Sequence, residues 1–215
     1  MPGVATDLIE IDQKNPAESA VDRAVDAIRR GQVVAVPTES LYTLMGDPMN
    51  LQAVTQVFQA KGRESVRSLP LLVADTLMVE DLARELSKRF YALARKFWPG
   101  PLSIILPASS KVPLKVTGNT GRLAVRQSAA VIAQKIVTRM NQPLIATSAN
   151  ISGQPTLTSG IEVFATLDGR VDLVLDGGVC TGAGSSTVDI TEPYWKMIRE
   201  GAIPEKEIAE SLKGL

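Results

Sequence analysis

The sequence predicts an α/β fold, a single domain with a twisted mixed sheet flanked by helices, and three observations predict it. Short apolar runs of strand length alternate with amphipathic helical patterns, but without the regular βαβ order of a doubly wound parallel sheet. At 215 residues the chain is long enough for one large core and short for two. With 45% apolar residues, 21% charged residues and a formal net charge of zero, its composition is that of a globular domain rather than a disordered chain or coiled coil.

A first helix opens at Asn15, with Pro16 at its first position and Glu18 placed to complete a capping box. Val21, Ala24, Val25 and Ile28 recur at helical spacing, Arg29 and Arg30 suit the negative end of the dipole, and Gly31 stops the helix. A buried strand follows over 33–36 and ends at Pro37. Asn50 caps a second helix, with Met49 and Val54 as a hydrophobic staple and Val57 and Phe58 on the inner face. A strand over 69–73, helices over 76–86 and 87–97, and a strand over 103–106 opened by Trp98-Pro99-Gly100-Pro101 come next. Further strands are predicted over 123–126, 144–146, 173–175, 187–190 and 196–199, with a helix over 129–140 and a last one from Pro204. No repeat, low-complexity tract or long linker interrupts this order, so residues 1–215 read as one domain.

The composition excludes more chemistry than it suggests. The absence of histidine removes Ser-His-Asp and Cys-His arrangements, histidine zinc sites and an imidazole general base. The single cysteine, Cys180, excludes an internal disulfide, fits a reducing compartment and reads as a small buried residue. Residues 1–15, carrying Asp7, Glu10 and Asp12, fit neither a signal nor a transit peptide, and no run is apolar enough to span a membrane; a cytoplasmic protein is expected. Without net positive charge, any RNA affinity needs a local patch.

Four polar stretches stand at the ends of apolar runs: Lys61-Gly62-Arg63, Thr147-Ser148-Ala149-Asn150, Gly184-Ser185-Ser186-Thr187 and Ile198-Arg199-Glu200-Gly201. Together they supply cations, hydroxyls and backbone amides, a set suited to a bound polyphosphate. If the chain is extended at Lys61 and Arg63, both face one way and bracket an anion; alone, the pair also reads as cations at a helix end. Arg67 offers a third cation. Thr147 to Gly153 follows an apolar strand at the carboxyl end, where open α/β sheets bind ligands, although a cap and turn explains it too. The Gly184 loop lacks Walker spacing, and no GxGxxG is present. Val36-Pro37-Thr38-Glu39-Ser40 offers hydroxyls and a carboxylate as a cradle for a small polar substrate, or simply a turn. Arg126 and Arg199 end apolar strands and need partners.

In their order these motifs resemble the YrdC/TsaC-like threonylcarbamoyl-AMP synthase family. The matching text is Val34-Ala35-Val36-Pro37-Thr38-Glu39-Ser40-Leu41-Tyr42, Lys61-Gly62-Arg63, Leu69-Pro70-Leu71, Phe97-Trp98-Pro99-Gly100-Pro101-Leu102, Ala124-Val125-Arg126, Thr147 to Gly153, Asp172 to Gly178, Gly184 to Asp189 and Ile198 to Ile203, so the likeness runs over about 17–205. The resemblance implies a YrdC/RibB-like fold around a concave cavity. It also implies ATP-dependent condensation of L-threonine with bicarbonate or CO2 to threonylcarbamoyl-adenylate and pyrophosphate, for threonylcarbamoyladenosine in tRNA.

By the same resemblance Lys61, Arg63, Ser148 and Asn150 carry the family's catalytic signature. Thr38, Arg67, Arg126 and Thr147 take substrate, and Ser185, Ser186 and Arg199 hold ATP, with Mg2+ bound mainly through the triphosphate rather than by protein ligands. Implied partners are a downstream tRNA threonylcarbamoyl transferase and weakly held tRNA or RNA, and the extra C-terminal domain of longer family members is not expected. The rival readings are a divergent RNA-binding, translation-associated member and a carbamoyl-transfer domain related to hydrogenase maturation factors. Where the family reads Tyr-Gly-Leu-Gly this chain has Tyr42-Thr43-Leu44-Met45, and after Arg126 it has Gln127-Ser128-Ala129-Ala130 in place of a proline and a histidine. Arg67 replaces the lysine usual before the Leu-Pro-Leu run. Thr43 or Met45 filling the cavity would close it to substrate.

Overall fold

A computed structural model describes residues 5–62 and 67–215. Its elements run β1 (Asp7–Glu10), α1 (Glu18–Arg29), β2 (Val34–Val36), β3 (Thr43–Met45) and α2 (Leu51–Ala60). They continue with β4 (Leu71–Leu72), α3 (Thr76–Leu82), α4 (Lys88–Phe97), β5 (Leu102–Pro107), α5 (Leu114–Thr117) and β6 (Arg122–Arg126). The remainder is α6 (Val131–Met140), β7 (Leu144–Ile145), β8 (Thr147–Ser148), α7 (Gly160–Leu167), β9 (Leu173–Asp176), β10 (Ser186–Asp189), β11 (Lys196–Arg199) and α8 (Glu205–Ser211).

The fold is mixed α/β as predicted, with the strands of the described residues divided between two sheets rather than gathered in one. The first has the order β1-β9-β2-β3-β8 and the second β11-β10-β5-β6-β4-β7. Parallel pairs (β1 with β9, β2 with β9, β10 with β5, β4 with β6) sit beside antiparallel ones in both. The chain passes between the sheets at Ala146: β7 pairs with β4 in the second, and two residues later β8 pairs with β3 in the first. A bond from the Ile145 amide to the Gly46 carbonyl (2.9 Å) and one from the Ala146 amide to Pro70 (2.8 Å) fix the crossing. It follows that the Thr147 to Asn150 segment emerges where the sheets part.

Val21, Val25 and Ile28 of α1 are buried in one apolar cluster with Val34 and Val36 of β2 and with Ile132, Ile136 and Val137 of α6, each side chain contributing about 1.5–3 kcal/mol on burial. A second cluster, with Tyr42, Phe58, Phe90, Trp98 and Ile104, fills the other side. Trp98 donates its indole N–H to the Leu102 carbonyl at 2.7 Å, so the Trp-Pro-Gly-Pro turn is tied to the strand it opens.

Three local expectations are corrected. The first helix begins at Glu18 with Ala17 as an uncapped N-cap, because the Asp12 carboxylate takes the amides of Lys14 (2.7 Å) and Asn15 (2.8 Å) in a turn. Asn50 does cap α2, accepting from the Gln52 and Ala53 amides, but Met49 is exposed and forms no staple on buried Val54. The Lys61 end of α2 is not extended: Lys61 is helical, and Gly62 turns away with φ +55°, a backbone state open to glycine. The elements β1, β3, β8, α5 and α7 were not expected from the sequence. No helix of the described residues is long and apolar enough to cross a membrane.

Candidate active site

Between the sheets lies a cavity of about 340 Å³, within the range that holds small ligands. The first sheet contributes Thr43, Thr147 and Ser148 to its wall, the second Ser103, Arg126, Thr187 and Arg199, and the loop after β2 adds Thr38 and Ser40. The register places Thr43 opposite Ser148, so adjacent side chains of β3 and β8 both line the hollow. Thr43 therefore narrows the cavity without closing it, and Met45 is turned into the apolar cluster behind β2.

Lys61, 3% exposed, and Asn150 do not themselves line the cavity but are bonded to Ser148, which does. The Lys61 ammonium donates to the Ser148 carbonyl, to the Asn150 carbonyl at 3.0 Å and the Asn150 Oδ1 at 3.3 Å, and lies 3.4 Å from Ser148 Oγ. Ser148 Oγ donates to Asn150 Oδ1 at 2.6 Å, and Asn150 Nδ2 is held by the Gln154 carbonyl at 2.7 Å. Three of the four residues expected to carry chemistry thus form one hydrogen-bonded unit. Arg63 lies outside the described residues, and Arg67 is exposed and does not line the cavity.

On the cavity wall beside the loop after β2, Arg126, 9% exposed, donates to Glu39 Oε1 at 2.7 Å and to Ser40 Oγ at 3.2 Å, while among the described residues its buried Nε has no acceptor. A buried N–H without a partner is costly. Glu39 accepts in turn from Ser128 Oγ at 2.5 Å and the Ala129 amide at 3.1 Å. Burial opposes its ionisation, but the charge of Arg126, the Ser128 hydroxyl and the Ala129 amide outweigh this and hold the carboxyl below its ordinary value. Thr38 donates to the Leu41 carbonyl at 2.6 Å and accepts from the Ser40 and Leu41 amides, which folds the Thr38 to Leu41 loop over this part of the wall.

Arg199 reaches the cavity from β11, an exposed edge strand rather than the buried one expected. Its guanidinium is held against the Ser185 carbonyl at 2.7 and 3.0 Å and Ser185 Oγ at 3.0 Å. Desolvation and the like charge of Arg126 lower its pKa, so the two arginines face a shared space in which an anion is favoured. Ser185 and Thr187 line the cavity, but Ser186, between them, points the opposite way. Fully buried, its hydroxyl donates to the Ile203 carbonyl at 2.6 Å and accepts the Gly201 and Ile203 amides at 2.9 Å each. It anchors the segment after β11 and presents no group to the cavity, a correction that follows from strand alternation. Cys180 is buried as expected, its thiol pushed up by burial and by the Glu39 charge.

Sequence reasoning missed Thr156, named Thr43 only as a possible obstruction, Thr187 only within a polar stretch and Ser128 only as a departure from the family pattern. Ser128 stands two residues beyond Arg126, a spacing that was visible in the sequence.

A family model described as telomere recombination, Sua5_yciO_yrdC, matches residues 26–201. A threonylcarbamoyl-AMP synthase of Pyrococcus abyssi is 39% identical over 186 residues, 86% of this chain and 55% of the relative. One from Coxiella burnetii is 34% identical over 160 residues, 74% of this chain and 85% of the relative. The crystal structure of Pyrococcus abyssi Sua5 complexed with L-threonine superposes with a TM-score of 0.92 at 36% identity, over 97% of this chain and 61% of that one. The chain spans 55% and 58% of the length of the first two curated relatives it matches.

Proposed function

The chain belongs to the Sua5/YciO/YrdC family, and from that premise we propose that it is an L-threonylcarbamoyladenylate synthase. It joins L-threonine, bicarbonate or CO2 and ATP into threonylcarbamoyl-adenylate and pyrophosphate, for the modification of tRNA in the cytoplasm. The observation that carries this reading is the cavity with Ser148, locked to Lys61 and Asn150, on its wall and two arginines, Arg126 and Arg199, on its walls as well.

The threonine amine attacks the carbon of CO2; an N–C bond forms as one C–O π bond opens to an oxyanion, and the amine proton passes to solvent, leaving the carbamate. A carbamate oxygen then attacks the α-phosphorus of ATP, the bond to the bridging oxygen of the β-phosphate breaks, and pyrophosphate leaves. Alignment and charge neutralisation dominate such chemistry, which suits a chain without histidine. Arg126, fixed by Glu39 and Ser40 on the cavity wall, takes the carboxylate of threonine. Thr38, Thr147 and Thr43 lie along the same wall. Lys61 fixes the Ser148 to Asn150 turn and, with Arg63, neutralises the carbamate and phosphate charges. Ser185 and Arg199 take the nucleotide. Mg2+ enters with the triphosphate as part of the substrate. Residues 1–215 act as one YrdC-like domain in this reading, and its product passes to a tRNA threonylcarbamoyl transferase.

The test is pyrophosphate release from ATP, assayed with each substrate omitted in turn. Release that needs both L-threonine and bicarbonate is expected. Tight RNA binding with no such release would replace the proposal with a non-catalytic, RNA-binding role.

A further inference from the structure

Glu39 stands behind Arg126, between the cavity and a separate surface groove that it lines with Asp12 and Lys14. Its side chain is 22% exposed, so the carboxylate has a route to turn toward solvent. Two groups oppose that turn: the Ser128 hydroxyl on Oε2 and the Ala129 amide on Oε1. The hydroxyl is 2.5 Å away and belongs to a side chain that is 1% exposed.

Resting on the functional reading above, we propose that Ser128 is a positioning residue for the amino-acid substrate. Through Glu39 it fixes the Arg126 guanidinium on the cavity wall for an incoming carboxylate. The order of contacts carries this: Ser128 holds Glu39 Oε2, and Glu39 Oε1 and Ser40 each take an N–H from one terminal nitrogen of Arg126, a residue of the cavity wall. A guanidinium fixed at both ends binds an oxygen with less loss of rotamer freedom than a free one. Ser128 also accepts the Ala130 amide at 3.2 Å and takes the Gln134 side chain on its carbonyl at 2.7 Å, so a role confined to starting α6 is the competing explanation.

The experiment is a double-mutant cycle on Ser128→Ala and Glu39→Gln. It reads Michaelis constants for L-threonine and for ATP, thermal melting, and calorimetric binding of L-threonine to the full chain. Ser128→Ala is expected to raise the threonine constant about 5- to 20-fold with the ATP constant within about twofold, and the double variant should be no worse than Glu39→Gln alone. An unchanged threonine constant, an equal rise for ATP, additive effects in the double variant, or loss of folding in Ser128→Ala alone would each overturn it and assign Ser128 to the α6 turn. Failure of the unaltered protein to bind threonine would instead end the functional reading, and this inference with it.

Discussion

Lys61 and Asn150 are 89 residues apart in sequence, and the Lys61 ammonium donates to the Asn150 carbonyl at 3.0 Å. The bond joins the end of α2 to the turn after β8, and Ser148 is caught between them. Lys61→Met keeps the apolar stem and removes the charge. Loss of a preorganised cation at the reacting centre is expected to lower turnover at least about 100-fold, whereas the lost hydrogen bonds cost about 1–3 kcal/mol of stability. Threonine-dependent pyrophosphate release and urea denaturation read the two separately. Near-normal turnover in Lys61→Met would remove the ammonium from the chemistry.

Glu39→Gln is expected to weaken the fold in a pH-dependent way. The Glu39 carboxyl is held below its ordinary value in the folded chain, so its contribution is fully present above the unfolded value of about 4.3. It is lost as pH falls through the lower, folded value. At pH 7 the variant is expected to lose about 2–3 kcal/mol, and the gap to the unaltered protein should narrow as pH falls below about 4. Denaturation midpoints measured from pH 3 to 7 test this; a constant gap would mean that the charge of Glu39 is immaterial.

Ser186→Ala separates anchoring from ligand contact. The change strips partners from the Gly201 and Ile203 amides and the Ile203 carbonyl, around a side chain with no exposed surface. Stability should fall by about 2–4 kcal/mol. Ser185→Ala, at a cavity-lining position, should instead raise the ATP constant with little change in melting. Reversed assignments in thermal melts and ATP titrations would mean that the alternation along this strand is the other way round.

The difference between Ser185 and Ser186 shows where sequence reading stops. Both were legible as part of a polar loop feeding a strand, but which of two neighbours faces the cavity depends on strand register, set by pairing with β5 rather than by local pattern. The Asn50 cap was legible because it is local, its carboxamide oxygen meeting amides two and three residues on. Asn15 and Pro16 carry an equally good local signal, but Asn15 is drawn into a turn in which its own amide and that of Lys14 donate to the Asp12 carboxylate, and the helix starts later. The strands Thr43–Met45 and Thr147–Ser148 are too short to show a period: the first is held by β2 as well as by the second, and the second by the first. That pairing sets Thr43 beside Ser148 on the cavity wall, so its place as a lining residue was not legible from its own neighbourhood.

At Gly201 two cavity-bearing segments touch closely. A Cβ there would stand 2.1 Å from the Gly184 carbonyl oxygen and 2.8 Å from the Ser185 carbonyl carbon, both backbone atoms. Neither can swing aside as a side-chain tip does, and the bond from the Ala202 amide to Gly184 at 2.9 Å depends on that approach. Gly201→Ala must therefore push the Gly184 to Ser186 loop outward, carrying the Ser185 groups that hold Arg199. A stability loss of about 1–3 kcal/mol is expected, together with a weaker ATP constant. Gly184→Ala is the informative comparison: its Cβ would meet only Leu41 Cδ1, at an ordinary 3.8 Å, so melting should hardly change. Equal melting losses in the two variants would show that the close approach at Gly201 is not what sets the loop.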